Sequence, residues 1–141
     1  MMGALKLNNI FVNLPVKDLN RSVTFFNHVG FEFNPQFTDE TATCMMIGDH
    51  IFAMLLVEDK FKTFTDKEIV DATKSTEVLI ALTAESRDHV DEIVNKALTA
   101  GGKPSKKPMD HGFMYELGFQ DLDGHTWEIF YMDPSAINQQ S

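Results

Sequence analysis

The sequence is short of basic residues, cysteine and long apolar runs, and each shortage removes a class of function. Twelve Lys and Arg stand against 21 Asp and Glu, a formal net charge of −9. A protein that tracks a phosphate backbone needs a basic face, so no nucleic-acid partner is expected. The one dense basic run, Lys103, Lys106 and Lys107 among Pro104 and Pro108, reads as a solvated turn. A single cysteine, Cys44, leaves no intrachain disulfide and no cysteine zinc cage. It reads as a small core hydrophobe. No apolar run reaches the length of a membrane helix, and Met1-Met2-Gly3-Ala4-Leu5-Lys6 lacks the form of a signal peptide. A cytoplasmic protein without membrane contact is expected.

What the sequence does contain is periodic. Asp18 opens a helical pattern that places Leu19, Ser22, Val23, Phe26 and Val29 on one face before Gly30. Ser86 opens a second, with Val90, Ile93, Val94, Ala97 and Leu98 on one stripe before Gly101. Strand character falls on Asn9–Val16, Phe31–Phe37, Thr41–Ile47, Ile51–Val57, Glu77–Ala84, Lys103–Met109, Phe113–Gln120 and Thr126–Met132. Gly48-Asp49 and Asp123-Gly124 read as hairpin turns. The order is strand, helix, three strands, and then the same again. Gly30 and Gly101 lie 71 residues apart, about half the chain. This is a duplicated architecture. The fold class is α+β: two βαβββ units, about 8–57 and 77–132, forming one domain with a curved mixed sheet around a central cleft. Residues 58–76 join them, with a helical turn expected around Asp66–Ala72.

The stretch Asn9-Ile10-Phe11-Val12-Asn13-Leu14-Pro15-Val16-Lys17-Asp18-Leu19, with Phe25-Phe26 and Gly30-Phe31 behind it, resembles the vicinal-oxygen-chelate superfamily. That superfamily includes glyoxalase I, extradiol dioxygenases and the bleomycin- and fosfomycin-resistance proteins. Asp121-Leu122-Asp123-Gly124-His125-Thr126-Trp127-Glu128-Ile129 resembles its last hairpin. The resemblance implies four inward side chains, commonly His or Gln, Glu, His and Glu, that bind a divalent metal. Carried across position by position, these fall on Phe11, Met54, Leu79 and Glu128. Three of the four have no donor suited to a catalytic divalent ion, which needs about three protein ligands. No cofactor is therefore expected; the alternative is a divalent metal held through Glu128 with a relocated ligand such as His111 or Glu77.

Strand alternation then assigns the inward residues. Phe11 and Asn13 come from the first strand, Phe52, Met54 and Leu56 from the fourth, with Cys44 and Met46 beside them. Glu77 and Leu79 come from the fifth, Tyr115 from the seventh, and Thr126, Glu128 and Phe130 from the last. Phe11, Asn13, Phe52, Met54, Leu79, Tyr115 and Phe130 are candidate ligand contacts, and Glu128 the candidate catalytic carboxylate. Apolar walls with a few polar anchors suit a small-molecule ligand.

Three functions compete. The first is a glyoxalase-like small-molecule binder or metal-independent enzyme, in which Glu128 abstracts a proton beside a carbonyl and Asn13 or Tyr115 bonds the enolate oxygen. The second is a divalent-metal lyase or isomerase of the glyoxalase I type. The third is a drug-sequestering resistance protein of the bleomycin-binding type. The resemblance also implies a homodimer.

Overall fold

The computed structural model describes residues 3–135. Strand β1 (Ile10–Val16) runs into helix α1 (Leu19–Val29), which starts directly after Asp18 and stops at Gly30. Strands β2 (Glu32–Asn34), β3 (Ala42–Gly48) and β4 (Ile51–Val57) follow, then helix α2 (Glu58–Phe61). The second half holds β5 (Leu79–Thr83), α3 (Arg87–Thr99), β6 (Lys103–Pro104), β7 (Met109–Asp110), β8 (Met114–Gln120) and β9 (Thr126–Met132).

Several boundaries differ from the sequence reading, each for a local reason. The strand expected over Phe31–Phe37 ends at Asn34, because Pro35 opens a 3₁₀ turn and Asn34 Oδ1 accepts the Gln36 N–H at 3.0 Å. The strand expected over Lys103–Met109 splits into β6 and β7 around Ser105–Pro108. The helical turn expected near Asp66–Ala72 forms earlier, at Glu58–Phe61. There Glu58 and Asp59 stand in the first turn, where carboxylates favour a helix N-terminus. Helix α3 starts as read: Ser86 Oγ accepts the His89 N–H at 3.0 Å, and Val90, Val94 and Ala97 are buried.

The chain divides into two compact units, one of Met1–Asn20 with Phe31–Ile69, the other of Arg21–Gly30 with Val70–Ser141. The first unit's sheet has the order β1-β4-β3-β2, with β1 parallel to β4 and the other pairs antiparallel. Leu14, Val16, Met45, Ala53 and Leu55 are buried on one of its faces. The second unit's sheet has the order β5-β9-β8-β6, with β7 also on β8, and β5 parallel to β9. It repeats the topology of the first.

Most of α1 belongs to the second unit. Phe25 and Phe26 meet edge to face at 4.9 Å, and Phe26 packs edge-on against Trp127 at 5.3 Å. Phe25 lies 6.1 Å from Phe119, which is parallel to Trp127 at 6.3 Å. All four rings are at most 2% exposed. Such ring clusters combine large apolar burial with favourable edge geometry.

Candidate ligand-binding site

In the first sheet, β-pairing puts Asn13, Met54, Cys44 and Asn34 in one cross-strand row, and Phe11, Phe52 and Met46 in the next. Side chains in register share a face. Phe11, Asn13, Phe52, Met54, Cys44 and Met46 therefore lie together, as their alternation predicts. Phe11 stacks on Phe52 with centroids 4.6 Å apart, yet is 49% exposed. The opposite face is buried at Leu14, Val16, Met45, Ala53 and Leu55, while on this face Cys44 and Leu56 are covered and Phe11 is not.

In the second sheet, Glu128 pairs with Ala81 and Gly118, while Phe130 pairs with Thr83 and Glu116. Leu79 lies across from Thr126 on that same face. Leu79, Glu128 and Phe130 are thus brought together, and Leu79 is 53% exposed. Glu77 precedes β5 and is exposed.

Tyr115 is on the other face. It pairs with Tyr131, in line with Leu117, Phe119 and Trp127, and its hydroxyl donates to Asp91 Oδ1 of α3 at 2.5 Å. The Arg87 guanidinium stacks over its ring at 4.4 Å and pairs with Asp110. That hydrogen bond to Asp91 pushes the Tyr115 phenol above its ordinary range, with burial adding to it. The expected inward place of Tyr115 is one residue out of phase, and Glu116 stands on the Glu128 face instead. Tyr115 is a clasp for α3. Tyr115→Phe is expected to lower stability by about 1 kcal/mol, the usual net worth of such a bond, in a urea titration. It should leave the opposite face unchanged.

Glu116 and Glu128 are held by one ammonium. Lys106 Nζ lies 3.1 Å from Glu116 Oε2 and 3.4 Å from Glu128 Oε1. The carboxylate side chains are 10% and 12% exposed, while Lys106 is 44% exposed. The strand break explains its reach. Lys103 and Pro104 pair with Gln120 and Phe119, and Met109 pairs with Glu116, so Ser105–Pro108 face just Leu117 and Gly118. The surplus residues bulge across the sheet, and bulges re-aim side chains. Ser105 Oγ fills the space a side chain at Gly118 would take. It is buried, with no hydrogen-bond partner among the described residues. The Glu116 carboxylate, with Glu128 beside it, raises the Lys106 ammonium above its ordinary pKa. No feature of the sequence reading pointed to Glu116 or Lys106.

A second polar centre sits in the β8–β9 loop. The buried Asp121 carboxylate accepts from Trp127 Nε1 and from the His125 N–H at 3.0 Å, and from the Asp123 N–H at 2.9 Å. Burial pushes its pKa up, and His125 and these hydrogen bonds oppose that. It anchors the loop and the core tryptophan.

The divalent metal implied by the resemblance does not fit these residues. Phe11 is an aromatic stack, Leu79 has no donor, and a Met54 thioether is a poor ligand for a hard ion. Glu128 is already paired with Lys106. Among the described residues no three His, Cys, Asp or Glu gather to hold a metal ion. His111 stacks beside Phe113 instead.

Two mixed sheets with three helices give an α+β fold matched by solved glyoxalase-related structures. Residues 9–48 match the family described as bleomycin resistance protein-like N-terminal. The hypothetical protein SA1046 of S. aureus is 28% identical, over 89% of this chain and 94% of that one, with a TM-score of 0.75. A glyoxalase/bleomycin resistance protein/dioxygenase family enzyme from Burkholderia phytofirmans PsJN is 16% identical over 86% and 96%, with a TM-score of 0.71. The fosfomycin resistance protein FosX of Listeria monocytogenes is 20% identical over 96% and 98%, with a TM-score of 0.63. No curated protein matches the chain. The chain thus shares the fold of these glyoxalase/bleomycin resistance protein/dioxygenase structures, and its residues 9–48 resemble the bleomycin resistance protein-like N-terminal family. No helix among the described residues is long and apolar enough to cross a membrane.

Proposed function

We propose that this protein is a metal-independent, glyoxalase-like small-molecule binder, with residues 1–141 acting as one domain. Its ligand is small, partly aromatic and carries a polar group. The observation that carries the reading is the exposure of Phe11 and Leu79, 49% and 53%, on the same sheet faces as Asn13 and Glu128. Large apolar side chains held open beside polar anchors are the usual lining of a ligand site. Phe52, Met54 and Phe130 extend these surfaces, and Asn13 and Glu128 supply polar contacts. The reading is one of binding ahead of catalysis, because Glu128 Oε1 already faces an ammonium. Tyr115, on the opposite face, has no part in it.

A thermal-shift screen of neutral aromatic carbonyl compounds tests the reading. Hits should raise the melting temperature of the wild type and lose at least about tenfold in affinity in Leu79→Asp and Phe11→Asp, since each introduces an unpaired charge against an apolar ligand. A screen without hits, or hits indifferent to both substitutions, would refute it. The reading includes a cytoplasmic homodimer. β1 and β5 each end their sheet, and edge strands call for cover. Light scattering should give twice the chain mass at micromolar concentration, and a monomer there would count against the dimer.

A further inference from the structure

The two carboxylates on the second sheet share one cation that the chain itself supplies. Lys106 reaches both, and neither Glu116 nor Glu128 has another hydrogen bond or ion pair among the described residues. Their side chains are nearly buried, so a positive partner or bound donors must offset the water each carboxylate has lost. An ammonium has three N–H donors. Two are directed to the glutamates, and the exposed side of Lys106 leaves the third for a ligand. Beside it, Ser105 Oγ is buried and without a partner. Buried hydroxyls seldom stay unbonded, and this one lies on the Glu128 face over Gly118.

We propose that Lys106 is a built-in counter-ion that takes the place of a bound cation between Glu116 and Glu128, making it the residue that decides which ligands this face admits. Metal ions and ammonium compounds are repelled, because a second cation between the carboxylates would sit within a few ångströms of Nζ. An uncharged ligand with a carbonyl or hydroxyl oxygen is accepted, its oxygen meeting the remaining Lys106 N–H. The ligand class rests on the small-molecule reading above. The exclusion of cations does not, because it follows from the charge arrangement alone.

The test therefore uses Mn²⁺ as probe, an ion suited to carboxylate and water ligands, with the free-ion electron paramagnetic resonance signal counting what is bound. Wild type and Lys106→Arg should bind no stoichiometric Mn²⁺ at neutral pH. Lys106→Met should bind Mn²⁺ at least about tenfold more tightly than wild type, once the like charge is gone. Glu128→Gln added to Lys106→Met should abolish that binding. Lys106→Gln provides a second neutral variant, and circular dichroism checks that each is folded. Stoichiometric Mn²⁺ on the wild type overturns the proposal without any variant. So does a folded Lys106→Met or Lys106→Gln protein that binds no more than the wild type. A failed ligand screen would leave the Mn²⁺ titration as it is, so the two readings fail separately.

Discussion

Phe26→Ala is expected to lower the free energy of unfolding by about 3–5 kcal/mol, the range for deleting a buried phenylalanine. Phe26 is 1% exposed and packs edge-on against Trp127 and Phe25, so the substitution removes both buried area and ring contacts. Domain stabilities are about 5–15 kcal/mol, so the loss is a large share of the total. Trp127 is the chain's one tryptophan, which makes its fluorescence a direct reporter of this cluster. The urea midpoint should fall, with native emission shifted to the red as the indole loses its cover. Phe11→Ala is the control: Phe11 is half exposed, and about 1 kcal/mol or less is expected for surface truncation. Equal losses from the two substitutions would show that α1 does not dock on Trp127 as described.

The second large effect is expected at Gly124. Its φ is 90°, and a Cβ there would lie 2.7 Å from Thr73 N and 2.8 and 2.9 Å from the Ala72 carbonyl carbon and oxygen. These are backbone atoms, which cannot swing aside as a side-chain tip does. The turn they belong to is braced, with Lys74 and Ser75 N–H both donating to the Asp71 carbonyl. Gly124→Ala should therefore combine a left-handed backbone cost with displacement of this turn, about 2–4 kcal/mol in all. Gly30→Ala separates the two causes. Gly30 also has a positive φ, 124°, but nothing lies within 4 Å of its would-be Cβ. Thermal unfolding should rank Gly124→Ala well below Gly30→Ala, and Gly124→Ala should become more susceptible to protease at residues 71–75. Equal melting temperatures would mean that the turn yields freely.

What the sequence made legible was local. The Ser86 cap, the glycines after each helix and the alternation Phe11/Asn13 and Phe52/Met54 all act within a few residues, and the elements formed where those signals stood. Tyr115 shows how the same rule can be applied out of phase. Tyr115, Leu117 and Phe119 form the apolar row of their strand, a row that suits the helix-covered face. The same row leaves Glu116 on the Glu128 face. Lys106 was of another kind. Two prolines announced a break in the edge strand, but no local pattern reveals that four residues face two, or that the surplus carries an ammonium to two glutamates on β8 and β9. Nor does amphipathic period say which sheet a helix covers. The Phe25-Phe26 stripe was plain in sequence, while its destination against Trp127 depends on contacts about a hundred residues away.

That destination has a consequence for cutting the chain. A polypeptide severed between Phe64 and Val70 yields one piece that retains Arg21–Gly30 and another that retains Phe119 and Trp127. The downstream piece lacks the helix that shields its tryptophan, and the upstream piece displays two phenylalanines whose partners are gone. Neither is self-sufficient, yet each exposes what the other needs. Co-expressed, the two should reassemble as a split protein, with Trp127 emission restored on mixing. Phe26 would be the contact on which complementation turns.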